Sequence, residues 1–466
     1  MLIGHSGVEK AKIKEILKNK NSKIYFIGIG GISLSALAEF FLKRGHRVFG
    51  SDVRRGDSVE HLEHLGVAVA YTHAKTRIYA LKPDLVVYSL AIADNNPEYK
   101  AAKELSLITV SRAQLLGALI DDFKISFGIS GSHGKSTVTA MLGDIFASAG
   151  LLPTVFGGAQ PKGKSSLCLG NNDVLVYESC EYGDSFLNFS PDYSVLLNME
   201  QDHTDYFPTM EDMKKSFTKA ANLAKKGCII NCDCSELRSI IPKIEVPVYT
   251  VSANNIGEYN YSVNDNKMRA YSFEFSKKNS ETKLEYNLSI PGRFNVTNAA
   301  LALAAADIMN IPYEKSKEAI SSFCGVERRL EFLYRKKTFD VYYDYAHHPT
   351  EIRASREALL DMGYNNICVI FAPHTYSRTK FFFNEFCEEL SEFTFSGIYE
   401  IYGAREAPIV GVTSSSLALE IRNRGGKSRA VLGEDAIEYL LSSNCDCAVL
   451  MGAGDLSVIK KKIEEL

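Results

Sequence analysis

The sequence has no excess of positive charge: 53 lysines and arginines stand against 56 acidic residues, for a formal net charge of −3. A general nucleic-acid binder would carry a basic excess or stripe, so that class is set aside. No apolar run approaches the ~20 residues that cross a bilayer, and no membrane association is expected. Residues 1–22 are lysine-rich and lack the apolar centre of a signal peptide, so a cytoplasmic location is expected. The ten cysteines include no C-x-x-C pair; the closest, Cys232/Cys234 and Cys445/Cys447, are C-x-C. That spacing excludes a zinc ribbon or disulfide framework and leaves reduced, mostly buried thiols. What remains is an ordinary globular composition, 45% hydrophobic over 466 residues, enough for about three domains at ~150 residues each.

The richest stretch is Phe127-Gly128-Ile129-Ser130-Gly131-Ser132-His133-Gly134-Lys135-Ser136-Thr137. An apolar run at 125–129 leads in, a glycine-spaced turn follows, and a helix is expected over 138–149. Strand, loop and helix in that order suit a polyphosphate. Glycines let backbone N–H groups approach, the helix N-terminus carries partial positive charge, and Lys135 would neutralise β/γ-phosphate oxygens. The hydroxyl of Ser136 or Thr137 would reach a magnesium ion. The full pattern G-x-x-x-x-G-K-[ST] wants glycine where Ile129 stands.

Upstream, a polar helix over 8–18 precedes the strand Lys23-Ile24-Tyr25-Phe26-Ile27 and the turn Gly28-Ile29-Gly30-Gly31-Ile32-Ser33. An amphipathic helix over 34–44 follows, then a second strand ending at Ser51-Asp52. This nearly completes the dinucleotide fingerprint, with Ser33 at the third glycine, and its physics fits a nucleotide sugar as well as NAD. Ser89 ends a further strand. Asp52 and Ser89 sit where parallel sheets place ligands, and where helix caps and turns also use such residues.

In the middle third, a strand delivers Glu178-Ser179-Cys180-Glu181, and another ends at Asn198 and runs into Glu200-Gln201-Asp202-His203. Magnesium needs hard oxygen ligands, usually a carboxylate at a strand end. Glu178 is the first candidate and Glu181 the second. His203 could hold a second metal, or orient a carboxylate or water. Residues 228–289 read as alternating β-structure with polar turns. Asn295 opens an alanine-rich helix, either as a cap or as a reader of an adenine edge. In the last third Asp344 ends a strand before Ala346-His347-His348-Pro349-Thr350, as a candidate ribose or metal-water contact. Adjacent His347 and His348 cannot share one face of an extended segment. Three later strands deliver His374-Thr375-Tyr376-Ser377-Arg378-Thr379, Gly403-Ala404-Arg405-Glu406, and Gly452-Ala453-Gly454-Asp455.

Taken together and in chain order, these motifs resemble the Mur ligase family. The glycine turn at Gly28–Ser33, the phosphate loop, Glu178, Asp202-His203, Asp344-Tyr345-Ala346-His347-His348-Pro349-Thr350, and the segment ending Ser377-Arg378-Thr379 are each similar to a family motif. The chain departs from the usual residues at Ser33, Ser136, Ala346 and Phe294, the last preceding Asn295. The resemblance implies an α/β fold in three domains. These are a Rossmann-like UDP-sugar domain at 1–117, a central P-loop ATPase-type domain at 118–326, and a Rossmann-like carboxy-terminal domain at 327–466. It implies an ATP- and magnesium-dependent ligase, with two Mg2+ ions, that phosphorylates the carboxylate of UDP-N-acetylmuramate and transfers the acyl group to L-alanine. Murein tripeptide is the alternative acceptor, and a non-catalytic nucleotide-binding regulator the alternative class. The implied catalytic residues are Lys135, Glu178, His203 and Arg329. ATP would be held by Gly131, Ser132, His133, Gly134, Lys135, Ser136, Thr137, Asn295, Arg329 and Asp344, and metal by Ser136, Glu178 and His203. The UDP-sugar would lie on Gly28, Gly30, Gly31, Ile32 and Ser33 with Asp52 and Ser89, and His348, His374, Arg378, Arg405 and Glu406 would line the substrate side.

Overall fold

The run Lys23–Ile27 is buried on both faces except at its first residue, as expected of a central parallel strand rather than a half-wet one. In the computed structural model, which describes all residues except 1–6, 160–165, 205, 268, 269, 337, 338, 405, 434, 443, 444, 455 and 466, this strand lies at the middle of a five-stranded sheet. The order is Ala68–Ala70, Arg47–Ser51, Lys23–Ile27, Leu85–Tyr88, Thr109–Ser111, with every pairing parallel. The chain winds outward one way from Lys23–Ile27, then returns to its other side. The strand order therefore reverses beside that strand, the place where such sheets bind ligands.

The chain divides into two compact units, one formed by Met1–Asn198, Lys214–Thr250 and Leu301–Ser316, the other by Met199–Met213, Val251–Ala300 and Lys317–Leu466. The first unit also holds the strand Ile125–Ser130, flanked in parallel by Tyr193–Leu196 and Val174–Glu178. Gly227–Asn231 and Thr154–Phe156 extend this sheet, and Leu167–Cys168 closes its edge antiparallel. Phe127 stacks on Tyr193 with centroids 5.2 Å apart and meets Phe146 of the following helix at 5.4 Å. Burial of each such ring contributes roughly 2–3 kcal/mol. That helix, Lys135–Ser148, starts earlier than the expected 138. The β-branched run Thr137-Val138-Thr139 is a poor helix start by propensity, but all three residues are buried and packing overrides propensity. A helix at Ser235–Ile240 also interrupts the expected all-β stretch over 228–289.

In the second unit, Tyr259–Lys267, Ala270–Lys277 and Lys283–Leu288 pair antiparallel, and the middle strand alternates buried with half-buried residues, as period-2 side-chain placement dictates. A separate six-stranded sheet has the order Glu331–Arg335, Asp340–Asp344, Cys447–Gly452, Ile367–Ala372, Phe395–Ile398, Ser428–Ala430, parallel except for the first pair. Val369, Phe371, Val449 and Met451 feed the core on one face, while Cys368, Ile370, Ala448 and Leu450 feed the core on the other. Both faces are covered, so the strands read as unbroken apolar runs.

In the first unit the helix Arg112–Leu119 approaches the turn Tyr182–Asn188 so closely that a Cβ on Gly117 would lie 2.3 Å from the carbonyl oxygen of Asn188. Helix propensity alone favours Gly117→Ala by about 1 kcal/mol, whereas overpacking costs about 1–3 kcal/mol. The variant is expected to melt at lower temperature than the parent in a thermal scan; a higher melting temperature would show that propensity outweighs the contact.

Candidate active site

The first turn is shaped by backbone rather than side chains. Gly28 adopts φ +79°, and the N–H groups of Gly28 and Ile29 both donate to the carbonyl of Ser51, at 2.8 and 3.0 Å. Gly30 N–H donates to Asp52 Oδ2 at 2.9 Å, and Asp52 Oδ1 accepts from Arg54 N–H. A Cβ at Gly30 would sit 2.7 Å from Val59 and 2.9 Å from that same carboxylate oxygen, so only glycine fits. Asp52 thus braces the turn, and the helix Ile32–Lys43 begins with no side-chain cap on its N-terminus. Ser89 Oγ accepts from Ala91 N–H, in a turn at the end of Leu85–Tyr88.

Beneath this edge lies a residue that the sequence reading passed over. Glu98 is fully buried, and its carboxylate accepts from Tyr25 OH at 2.8 Å, Ala74 N–H at 3.1 Å and the Ser51 hydroxyl. His73 Nδ1 lies 3.0 Å away and Arg77 3.4 Å. Only the fold gathers these partners, so a lone glutamate in a Pro-Glu-Tyr helix start gave no signal.

The phosphate loop follows Ile125–Ser130. Gly131 sits at φ +150° and Gly134 at φ +85°, conformations that glycine adopts without penalty. Gly134 precedes the helix and offers no side-chain cap, which leaves the helix N-terminus open to an anion. Asn198 clamps the loop from the neighbouring strand end: its Oδ1 accepts from His133 N–H at 2.8 Å and its Nδ2 donates to the His133 carbonyl at 3.0 Å. The Lys135 ammonium donates to the carbonyls of Gly131 and Ser132 and to both oxygens of Glu181, at 3.2 and 3.0 Å. Burial works against its charge, but the Glu181 carboxylate more than compensates and keeps it protonated well above the usual lysine range. Of the two candidate glutamates, Glu181 is the buried partner of Lys135. Glu178 ends its strand half-buried and accepts from Gly158 N–H at 2.5 Å. A half-buried cation and an uncapped helix N-terminus suit a polyphosphate, and the Ser136 hydroxyl in the first turn with two carboxylates offers hard oxygens that fit magnesium.

In the second unit, Asp202 and Arg378 form a buried ion pair: Arg378 Nε and Nη2 donate to Asp202 Oδ1 at 3.0 and 2.7 Å. Burial would raise the carboxyl, yet the Arg378 charge holds it far below the usual carboxylate range. Arg378 Nη1 donates to His374 Nδ1 at 2.7 Å, and the His374 ring stacks on Tyr402. Burial and the nearby His347 and Arg378 lower His374 to about 3, and burial lowers His347 to about 4, so both rings are neutral near pH 7. His203 follows Asp202 at φ +51°, and the carbonyl of His203 accepts from Tyr206 and Phe207 N–H. His348 caps the helix Pro349–Asp361, its Nδ1 accepting from Thr350 N–H while Nε2 lies 3.3 Å from the Gln201 carbonyl. Glu406 accepts from both the backbone N–H and the hydroxyl of Ser377, at the start of Tyr376–Phe381. Arg405 lies outside the described residues.

Arg329 sits between two left-handed residues, Arg328 at φ +57° and Leu330 at φ +45°. Its guanidinium lies over the Tyr345 ring and 3.6 Å from Glu351. Arg328 carries the turn, stacked on Tyr343 and Tyr345 at 4.8 Å each and donating to the carbonyls of Gly452 and Gly454. Asp344 is buried beside the Ser355 hydroxyl, and burial pushes its carboxyl up to about 6 against the pull of Ser355 and Arg329. Asn295 is buried, with Nδ2 donating to the Pro291 carbonyl at 2.6 Å and Oδ1 accepting from Asn298 at 3.0 Å.

Comparison with known proteins covers the same three parts of the chain. The descriptions "Mur ligase family, catalytic domain", "Mur ligase middle domain" and "Mur ligase, glutamate ligase domain" match residues 23–124, 129–306 and 328–454. A UDP-N-acetylmuramate–L-alanine ligase of Clostridium perfringens is 34% identical over 457 residues, covering 95% of this chain and 97% of the relative. One from Clostridium kluyveri is 37% identical over 446 residues, covering 94% and 96%. The crystal structure of a UDP-N-acetylmuramate–alanine ligase from Thermotoga maritima superposes with a TM-score of 0.82 at 25% identity, covering 96% of this chain and 99% of that one. With all three parts matched in order and relatives this similar along their full length, the chain belongs to the Mur ligase family.

Proposed function

We infer that this protein joins L-alanine to the carboxylate of UDP-N-acetylmuramate with hydrolysis of ATP to ADP and phosphate, a step of peptidoglycan precursor synthesis. The observation that carries the reading is Lys135, a half-buried ammonium held at the mouth of a strand–loop–helix by two loop carbonyls and Glu181. Such a cation has a purpose where negative charge must collect. Full-length relatives that carry this activity in their names support the acceptor.

The reaction brings two anions together. The muramyl carboxylate attacks the γ-phosphorus, the bond to ADP breaks, and an acyl phosphate forms. The neutral amine of L-alanine then attacks the acyl carbon and phosphate leaves. Lys135 and the loop residues Gly131, Ser132, His133, Gly134, Ser136 and Thr137 would hold the β- and γ-phosphates, the amides of Ser132 and His133 being spent on Asn198. Magnesium, held by Ser136 and by Glu178 or Glu181, would supply the remaining charge neutralisation when bound. A second magnesium would be held by His203. Arg329 and Asp344 would take the nucleotide from the carboxy-terminal region, and Asn295 the adenine. Gly28, Gly30, Gly31, Ile32 and Ser33 would receive the UDP-sugar on the open helix N-terminus, with Asp52 bracing the turn and Ser89 at the neighbouring strand end. His348, His374, Arg378, Arg405 and Glu406 would line the muramyl and alanine side. The proposed domains are 1–117, 118–326 and 327–466, and the proposed location is the cytoplasm. Among the described residues no helix is long and apolar enough to cross a membrane.

Lys135→Ala is expected to abolish ATP-dependent ligation, measured as phosphate release, while UDP-sugar binding survives; near-parental turnover would sink the loop assignment. With L-alanine and murein tripeptide supplied separately, turnover is expected with L-alanine, and turnover with tripeptide alone would reassign the acceptor. Asp344 is protonated below about pH 6 and charged above it. Because kcat/KM reports groups of the free enzyme, kcat/KM for ATP should fall as pH drops through about 6, and Asp344→Asn should flatten that limb at a lower plateau. An unchanged limb in the variant would remove Asp344 from the nucleotide site.

A further inference from the structure

Arg112 has no place in the roles assigned above, yet its surroundings are those of a binding residue. It opens the helix Arg112–Leu119 at the carboxyl end of the strand Thr109–Ser111, on the ligand edge of the first sheet. A reciprocal cap between Ser111 and Gln114 fixes the backbone at that point. The side chain lines a small cleft with Ser33, Glu178, Leu37, Leu116 and Phe156. Burial and apolar walls work against its charge, with Cys180 and Glu178 opposing, but a guanidinium stays protonated in proteins.

The other arginines show what a structural role looks like. Arg328 donates through Nη2 to two carbonyls and stacks on two aromatic faces, and Arg378 spends its donors on Asp202 and His374. Among the described residues, no hydrogen bond or ion pair engages the Arg112 guanidinium, although Glu178 lines the same cleft, with one carboxylate oxygen taken by Gly158 N–H. Arg112 is half-buried, so its guanidinium gives up part of its hydration without gaining a protein acceptor, which carries a cost. The cost is understandable if an anion supplies the acceptors. Ser33, in the first turn of a helix whose N-terminus has no side-chain cap, stands in the same cleft. A cation and an open helix N-terminus lining one cleft suit an oxyanion.

We propose that Arg112 binds an oxyanion of the sugar-nucleotide substrate, placing it between the Ser33 turn and Glu178. This rests on the UDP-sugar reading of the Gly28–Ser33 turn. The oxyanion is either a diphosphate oxygen or the carboxylate that is to be activated, and a guanidinium suits both by its planar fork of donors.

Calorimetric titration of the full chain with UDP, UDP-N-acetylglucosamine and UDP-N-acetylmuramate separates the possibilities. Arg112→Ala is expected to weaken UDP-N-acetylmuramate binding about ten- to a hundredfold, with Arg112→Lys recovering part of the loss and ADP affinity unchanged. A loss shared by all three ligands assigns Arg112 to the diphosphate; a loss confined to UDP-N-acetylmuramate assigns it to the carboxylate. Parental affinity for all three in Arg112→Ala, or in Arg112→Lys should the alanine variant not fold, would overturn the proposal. So would an equal loss for ADP, which marks general structural damage. If the parent itself fails to bind UDP-N-acetylmuramate, it is the proposed function that falls, and the two failures remain distinct.

Discussion

The charge of Lys135 is the constraint around which the first unit is arranged. An ammonium cannot be buried unless acceptors surround it, and here the carbonyls of Gly131 and Ser132 and the Glu181 carboxylate do so. Two carbonyls of the same short loop can point at one nitrogen only if the backbone takes conformations that side chains resist. Gly131 and Gly134 therefore stand at positive φ. The loop is held from outside by Asn198, whose amide exchanges two hydrogen bonds with the backbone of His133. The lysine is thus held in place by protein groups alone, so little reorganisation is left to the moment of reaction.

Parallel strands explain why the rest of the polar inventory lies where it does. Each strand ends at the same edge as its neighbours, so a side chain one residue beyond a strand faces solvent at a shared rim. In the first unit Asp52, Ser89 and Arg112 lie one residue beyond their strands and Glu178 ends its own; in the second, Asp344 and Gly452 end their strands and His374 follows two residues after one. Rims of this kind gather like charges and unsatisfied donors, and the protein balances them with buried networks. Glu98 collects Tyr25, Ser51 and Ala74, while Asp202 neutralises Arg378. Removing one member of such a pair leaves a buried charge uncompensated, typically at a cost of about 3–5 kcal/mol. These networks therefore hold the rim in register rather than merely decorate it.

Much of this was legible in the sequence, for a physical reason. Motifs such as Gly131–Thr137 are local: their spacing follows from one turn and one helix start, so residue types alone disclose the geometry. The α/β class and family could be read because apolar runs alternate with amphipathic helices and the motifs fall in order. Partnerships across the chain could not be read. Lys135 meets Glu181 rather than Glu178 because Glu178 ends a strand half-buried while Glu181 turns under the loop. Asp202 finds Arg378 across 176 positions of sequence. Glu98, Asn198 and Arg112 gave no signal, since their significance lies wholly in what the sheets bring beside them. Propensity misplaced the start of the helix Lys135–Ser148 because burial, not intrinsic preference, settles three β-branched residues there.

The local role of Asn295 leaves room for the proposed functional one. Asparagine beside a helix start is most often a cap, and here its amide is indeed spent on the neighbouring turn, donating to the Pro291 carbonyl and accepting from Asn298. An amide group, however, has two N–H donors and two lone pairs. The turn takes one of each and fixes the plane of the group. One donor and one lone pair remain, and an adenine edge would take one of each. Phe294, one of the departures from the family's usual residues, presents a ring that is 40% exposed at the same helix start. It lies so close to Gly292 that a Cβ there would meet the ring at 2.5 Å. Phe294 takes none of the hydrogen-bonding capacity of Asn295, so the proposed adenine contact rests on the amide and not on the residue before it.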